Sequence, residues 1–326
     1  MSLPSIQRVL LQSVAESDPE GRFVDVDNIQ AYYKIAIPQY HKNLLQNQQQ
    51  LPYEPHKPVI LCLHHILGNQ YTWRFHMQPL AEATGCHVIS YDRVSFGFTE
   101  RPVQWEEGKN PYTQMASVDF AVQLLIQLGY GAKKVVLIGV SAGASISCYI
   151  AIKYPHLVHS LILLGPALRP EDQGPPSMSC HILGTAPGRL FLKAALYQYL
   201  PMPKLYHDIN AVPDFETMVR PCYRVPLTLP NFYEAIAWLF KYFIPLEVLP
   251  NKHIFLQFPI LYLVGDDDKF TNESIHKEIF EEMLVDAPEN AKLEYHVLKY
   301  CGHLPQEEKP QEVLDVLIDF LKRLNV

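Results

Sequence analysis

The chain lacks several features that would place it in a specialised class of protein. Only 6 of its 326 residues are cysteine, and no two of them form a Cys-x-x-Cys pair. We therefore expect reduced thiols, no disulfide framework and a cytoplasmic location. No window of about 18 consecutive apolar residues occurs, which argues against a membrane-spanning helix. The apolar run within residues 1–18 is short, so we expect no secretion signal there.

Positive charge is also scarce. The sequence has 27 Lys and Arg residues against 34 Asp and Glu residues, a net charge of −7, and no long run of basic residues. A nucleic-acid-binding surface needs a concentration of positive charge, so nucleic acid is not expected as a partner. Apolar residues make up 48% of the chain, which is typical of a globular protein. A chain of this length can bury enough surface to fold without disulfides or metals.

Near-continuous apolar runs alternate with helix-sized segments along much of the chain. Runs of this kind are typical of strands buried on both faces of a sheet, so the sequence predicts the α/β class with a mainly parallel, doubly wound sheet. The predicted strands are 59–63, 87–91, 135–139, 161–164, 260–264 and 293–298. Residues 21–27 and 29–37 predict an antiparallel hairpin at the sheet edge. Residues 39–57 are rich in Gln, Asn and Pro and predict a solvated loop.

The alternation stops in one long segment. From residue 169 to about 258, aromatic-rich stretches divided by prolines replace the strand-like runs, which predicts a helical insertion. The predicted organisation is therefore a first core part (1–168), a helical insertion (169–258) and a second core part (259–326). The second part ends in an amphipathic helix over 311–324.

A nucleophile motif follows the third parallel strand. Gly139-Val140-Ser141-Ala142-Gly143 is G-x-S-x-G between a predicted strand and a predicted helix, the context that this motif requires. The sharp turn strains the serine backbone, and we expect Gly139 and Gly143 to relieve a collision between the positions two before and two after it. Ser141 is thus the predicted nucleophile.

A serine nucleophile needs a base, and the base needs an acid that orients it. His303 follows the last predicted strand, in a loop where sheets of this type carry functional residues. Asp266, Asp267 and Asp268 follow the preceding strand, and each is also placed to cap a helix starting near residue 272. Reaching His303 from beyond the turn favours Asp268, with Asp267 second. This acidic run lacks further ligands at metal-binding spacing, so no metal is expected.

The developing negative charge of an attacked carbonyl needs N–H donors. The backbone N–H of Ala142, at a helix N-terminus, is one candidate. We expect the second in the loop after the first parallel strand, residues 64–69.

Taken in order, five motifs resemble the α/β-hydrolase fold superfamily. The chain is similar to the branch of epoxide hydrolases, haloalkane dehalogenases and single-domain esterases, over roughly residues 58–166 and 259–326. The motifs are LH…NQYTW at 63–73, DR…FGFTERP at 92–102, GVSAG at 139–143, GDDD at 265–268 and GH…EEKP at 302–310.

The resemblance implies a role for each matching position. Ser141 matches the nucleophile, Asp268 the acid and His303 the base, while Ile66 and Ala142 match the residues whose N–H groups bind the oxyanion. The insertion stands where that branch carries its helical cap.

The sequence departs from the pattern of this branch at several positions. Epoxide hydrolases and dehalogenases of this kind have an aspartate nucleophile followed by Trp, whereas this chain has Ser141 followed by Ala142, which disfavours both activities. Glu308 stands where acyltransferase-like relatives have Asp. His65 and Ser95 replace glycines that are usual in the oxyanion loop and the D-x-x-G-x-G segment. His65 either packs against a neighbouring loop or offers a polar group to the pocket.

These observations predict a serine hydrolase that cleaves a small or medium carboxylic ester, or a related acyl compound, through an acyl-enzyme. No cofactor is expected, and the partner is a small-molecule acyl substrate. Two alternatives stay open: a carbon–carbon or thioester hydrolase with the same triad, and a non-catalytic ligand receptor on the same fold.

Overall fold

The computed structural model describes residues 13, 18–46, 57–168, 185–242 and 252–326. Eight strands form one sheet in the order β1-β2-β4-β3-β5-β6-β7-β8. Strands β1 and β2 pair antiparallel, β2 is antiparallel to β4, and the other neighbours are parallel. The strands are β1 (Arg22–Val26), β2 (Ile29–Ala36), β3 (Val59–Leu63), β4 (Val88–Tyr91), β5 (Val135–Val140), β6 (Val158–Leu164), β7 (Ile260–Gly265) and β8 (Leu293–Leu298). The predicted α/β fold and the edge hairpin are confirmed.

The central strands consist of apolar residues because both of their faces are covered. Every residue of β3, β4, β5 and β7 is buried. Strands β6 and β7 lie side by side, with Leu161 opposite Ile260, although the whole insertion separates them in the sequence. The predicted insertion therefore leaves and returns at neighbouring strands.

Helices cover both faces of the sheet. The helices are α1 (Gln39–Gln46), α2 (Met77–Thr84), α3 (Gln114–Gln127), α4 (Ala142–Lys153), α5 (Ala186–Tyr199), α6 (Arg220–Arg224), α7 (Phe232–Tyr242), α8 (Lys252–Phe255), α9 (Glu273–Asp286), α10 (Pro305–Glu308) and α11 (Pro310–Arg323). Helices α2 and α11 pack in one apolar cluster, which also includes residues of 185–242, and helices α3, α4 and α9 pack in the other cluster.

One prediction is wrong in part. The segment expected to be a loop over 39–57 begins with helix α1, since Gln, Lys and Leu are good helix formers once the chain has passed Pro38. The Pro38 carbonyl accepts the N–H of Lys42 at 3.2 Å, which starts the helix. Residues 47–56 of the expected loop lie outside the described residues.

Some other expectations also fall outside the described part of the chain. These are the secretion-signal region, apart from residues 13 and 18, and two stretches of the insertion, 169–184 and 243–251. The described parts of the insertion, 185–242 and 252–258, contain helices and short helical turns but no strand. None of the helices in the described ranges is long and apolar enough to cross a bilayer.

Candidate active site

Ser141 occupies the tight turn between β5 and α4. Its backbone has φ 54° and ψ −121°, a strained conformation for a residue with a side chain. Its N–H donates to the carbonyl of Leu164 on β6 at 2.9 Å, which holds the turn against the neighbouring strand. The serine is thereby fixed at the carboxyl end of the parallel strands, where α/β sheets bind their ligands.

Two glycines make this turn possible because each lies against backbone that leaves no room for a Cβ atom. A Cβ at Gly139 would lie 2.5 Å from the backbone of Ala144 in α4. A Cβ at Gly143 would lie 2.3 Å from the carbonyl oxygen of Leu63 at the end of β3. The glycines therefore bring the N-terminus of α4 into contact with two strands.

Ser141, His303 and Asp268 form a continuous hydrogen-bonded chain. Nε2 of His303 lies 2.9 Å from Oγ of Ser141, and Nδ1 of His303 lies 2.6 Å from Oδ2 of Asp268. All three side chains are buried. The carboxylate can only accept, so Nδ1 carries a proton and Nε2 is free to accept the serine proton. This arrangement can activate a serine hydroxyl for attack on an acyl carbon.

Asp268 is held by donors on both of its oxygens. Oδ1 accepts the N–H groups of Phe270 and Thr271 at 2.8 and 3.0 Å, and Oδ2 also faces Nε2 of buried His276 at 3.4 Å. Burial raises the pKa of the Asp268 carboxyl, but the hydrogen bonds from His276 and His303 outweigh burial and hold that pKa below its ordinary value. The carboxylate therefore stays ionised at neutral pH.

The neighbouring acids have other partners. The side chain of Asp267 is 40% exposed and pairs with His207 at 2.8 Å and Lys269 at 3.2 Å. Asp266 accepts the N–H of Cys301 at 3.3 Å. Neither carboxylate is bonded to His303. Among the described residues, no group of three His, Cys, Asp or Glu side chains is arranged to hold a metal ion.

The loop that carries His303 is fixed by the insertion. The N–H of His303 donates to the carbonyl of Leu205 at 2.8 Å. A Cβ at Gly302 would lie 2.7 Å from the backbone of His207, so only glycine permits this close approach. Glu308 accepts the N–H groups of Gly302 and Asp208, both at 2.7 Å. One buried carboxylate thus joins the His303 loop to the insertion.

The expected oxyanion loop is pinned from several sides. His64 Nδ1 donates to the carbonyl of His65 at 2.7 Å, and His64 Nε2 accepts the N–H of Arg93 at 3.0 Å. A Cβ at Gly143 would lie 2.7 Å from the carbonyl oxygen of His64, so this loop directly adjoins the start of α4. Ala142 is the first residue of α4, and the first N–H groups of a helix have no intrahelical acceptor.

Three buried polar side chains near the site were not singled out by sequence reasoning: His276, Tyr223 and Glu307. His276 contacts the triad acid, and Tyr223 lies between Glu307 and His65, 2.7 Å from each. His276 lies on one face of a helix and Tyr223 lies in the insertion, so neither has a motif to mark it. Glu307 belongs to the motif at 302–310, but only its burial in the structure distinguishes it from a surface carboxylate.

The sequence profile described as "alpha/beta hydrolase fold" matches residues 58–310, most of the chain. The chain belongs to this family. As an α/β-hydrolase it is an enzyme of the hydrolase class.

Individual relatives are distant. Epoxide hydrolase 3 of Xenopus tropicalis is 23% identical, over 81% of this chain and 71% of the relative. The 2-hydroxymuconate semialdehyde hydrolase of Pseudomonas sp. strain CF600 is 25% identical, over 76% and 80%. The crystal structure of a bacterial membrane phospholipase A superimposes with a TM-score of 0.69 at 21% identity, over 98% of this α/β-hydrolase and 92% of that chain.

Proposed function

We propose that this α/β-hydrolase is a serine hydrolase that cleaves a small or medium carboxylic ester or a related acyl compound. The observation that carries the proposal is the buried chain of Ser141, His303 and Asp268, with contacts of 2.9 and 2.6 Å. Both distances are within hydrogen-bonding reach, as proton transfer from the serine requires. The elbow glycines Gly139 and Gly143 support it by fixing the serine in its strained turn.

The proposed reaction has two halves. Oγ of Ser141 attacks the acyl carbon while its proton moves to Nε2 of His303, and the N–H groups of Ile66 and Ala142 stabilise the oxyanion. The leaving alcohol takes the proton from Nε2 as the acyl-enzyme forms. Water then attacks the acyl-enzyme, gives its proton to the same nitrogen, and the proton returns to Ser141 as the acid leaves. Asp268 keeps the other proton of the ring on Nδ1 throughout.

Epoxide opening is not proposed, although an epoxide hydrolase is among the relatives. Attack by Ser141 on an epoxide carbon would form an ether, which offers water no acyl carbon to attack. Thioester or carbon–carbon bond hydrolysis is the second candidate, because another relative is named for a semialdehyde rather than for an ester. A non-catalytic receptor role has no observation in its favour.

We propose that the insertion, residues 169–258, acts as a cap over this site. The backbone contacts of Leu205 and His207 with the His303 loop support this proposal. A reducing, cytoplasmic location is part of the proposal, because the six cysteines of the chain are scattered and form no Cys-x-x-Cys pair.

Labelling with a fluorophosphonate followed by peptide mapping tests the nucleophile, and turnover of p-nitrophenyl esters of graded chain length tests the reaction. Wild-type protein should be labelled on Ser141, and Ser141→Ala should lose both labelling and turnover, by on the order of 10⁴-fold. Ser145→Ala is the matched control, because Ser145 lies on the same helix but donates to the Ala167 carbonyl at 2.6 Å. No labelling of the wild type, or more than about a tenth of wild-type turnover in Ser141→Ala, would refute the proposal. Turnover of a thioester panel without ester turnover would favour the second candidate.

A further inference from the structure

Glu307 is a buried carboxylate four residues after His303. Its side chain is fully buried and lies within hydrogen-bonding distance of three hydroxyl groups: Thr72 at 2.5 Å, and Tyr206 and Tyr223 at 2.7 Å each. A buried carboxylate is tolerated only where such donors replace water. Both tyrosines come from the insertion, so Glu307 joins the insertion to the His303-bearing segment.

Tyr223 has a second partner on the opposite side. Its hydroxyl lies 2.7 Å from Nε2 of His65, and the two rings are stacked at 5.6 Å with an interplanar angle of 27°. The other ring nitrogen of His65, Nδ1, lies 2.8 Å from the carbonyl oxygen of Ile66. One hydroxyl thus bridges Glu307 and the loop that carries Ile66. The adjacent residue adds a parallel link, since the Cys222 carbonyl accepts from the side chain of Asn69 at 2.9 Å.

Two hydrogen bonds at one hydroxyl fix the number of protons along this bridge. The Ile66 carbonyl can only accept, so Nδ1 of His65 carries a hydrogen. The hydroxyl of Tyr223 has one hydrogen, but it has a short contact to His65 and another to Glu307. If the tyrosine donates to Glu307, Nε2 of His65 must also carry a hydrogen. If it donates to His65 instead, the carboxyl of Glu307 must carry one. Both arrangements contain one proton more than a neutral imidazole beside an ionised carboxylate.

The surroundings of His65 act on its pKa in both directions. Burial lowers the pKa of His65 to about 4 and the positive charge of Arg93 acts in the same direction, while the charge of Glu307 and the hydrogen bond to the Ile66 carbonyl oppose them. In either arrangement the bridge is closed and neutral as a whole. A closed bridge fixes the ring of His65, and with it the peptide that presents Ile66.

We propose that Tyr223 is a positioning residue that holds the oxyanion loop in place through His65, and that Glu307 anchors it to the segment of the catalytic histidine. This inference rests on the proposed function, since it concerns the N–H of Ile66 as an oxyanion donor. Tyr223 belongs to the insertion, so on this inference the insertion helps to stabilise the transition state as well as covering the site.

Tyr223→Phe, with Tyr206→Phe as its matched control, tests this role. Each change removes one hydroxyl from Glu307, but only the first also breaks the link to His65. Tyr223→Phe should lower kcat by about 10- to 100-fold with KM within about twofold, because a displaced oxyanion donor weakens the transition state rather than substrate binding. Tyr206→Phe should keep kcat within about threefold while losing a similar amount of thermal stability. Fluorophosphonate labelling should slow in parallel with kcat.

A double-mutant cycle provides the second measurement, and also serves if Tyr223→Phe folds poorly. His65→Phe breaks the same link from the loop and should reproduce the loss in kcat, and the double variant should lose no more than either single variant. Equal effects of the two tyrosine changes, an effect on KM alone, or additive losses in the cycle would overturn the inference. Wild-type protein that neither labels nor turns over any acyl substrate would instead overturn the proposed function on which it rests.

Discussion

Asp268→Asn is a severe test of the triad because the structure predicts which way the amide turns. Oδ1 accepts two backbone N–H groups, and a backbone N–H cannot become an acceptor. Among the described residues, Oδ2 has hydrogen-bond partners only in the rings of His303 and His276, and a neutral imidazole can move its proton to the other nitrogen. The amide nitrogen should therefore take the Oδ2 position, which forces Nδ1 of His303 to accept a hydrogen bond.

That orientation removes the base without disturbing the fold. When Nδ1 of His303 accepts, the ring proton lies on Nε2, which then cannot take the proton of Ser141. We expect kcat to fall by about 10⁴-fold while the melting temperature changes little. The opposite orientation would turn the amide nitrogen toward the two backbone N–H donors and break both of their hydrogen bonds, which would be detected as a loss of stability.

The matched control is Asp267→Asn, in the adjacent residue. Asp267 has a 40% exposed side chain and makes surface ion pairs with His207 and Lys269, a kind of pair worth about 0–1 kcal/mol. We expect its kcat to stay within about threefold of wild type. Steady-state turnover of one p-nitrophenyl ester and a thermal melt of each variant measure both quantities. A larger loss of kcat at Asp267, or more than a tenth of wild-type kcat in Asp268→Asn, would refute the reasoning.

Three further predictions follow from buried or strained positions. Ser95→Gly should stabilise the protein by about 1 kcal/mol, because Ser95 has φ 90° and its buried hydroxyl has no hydrogen-bond partner within the described structure. A thermal or denaturant melt measures this change, and a lower melting temperature would contradict it. Gly143→Ala should lower kcat at least about 100-fold, since its Cβ would displace the end of β3 from α4; near-normal kcat would show that the elbow tolerates the shift. Burial lowers the pKa of His76 to about 4 in the folded protein, so as the pH falls the unfolded chain takes up a proton at this residue before the folded protein does. The free energy of unfolding should therefore fall as the pH drops from about 6.5 to about 4. His76→Phe should flatten that slope in melts at pH 5 and pH 8, and an unchanged slope would refute it.

The fold and the candidate site could be predicted from the sequence because the triad residues follow strands. Ser141, Asp268 and His303 each come after an apolar run, and the carboxyl ends of parallel strands meet at one edge. Local order along the chain therefore implied their proximity. The choice between Asp267 and Asp268 was harder, because it depends on which side chain turns inward after β7, and the two differ by one position in the sequence.

The supporting residues could not be predicted in the same way. Tyr223 lies in the short helix α6 of the insertion, and its contacts with His65 and Glu307 span 158 and 84 residues of sequence. Contacts at such separations depend on how the insertion packs, which one sequence does not reveal. The helix at Gln39–Gln46 was missed for a simpler reason: its Gln-rich composition is typical of loops but is also compatible with a helix.

Two of the departures from the family pattern, His65 and Ser95, replace glycines but differ in how well their surroundings fit them. Both ring nitrogens of His65 have hydrogen-bond partners, and the ring stacks on Tyr223. Gly68 leaves room for this ring, because a Cβ at that position would lie 2.6 Å from Nε2 of His65. Ser95 also stands where a glycine is usual, but its backbone is strained and its buried hydroxyl has no partner among the described residues. A residue whose polar groups are paired and whose ring is packed is expected to have a role. A residue with a strained backbone and an unpaired hydroxyl is expected only to be tolerated. For this reason replacing His65 should impair catalysis, while replacing Ser95 with glycine should improve stability and leave turnover unchanged.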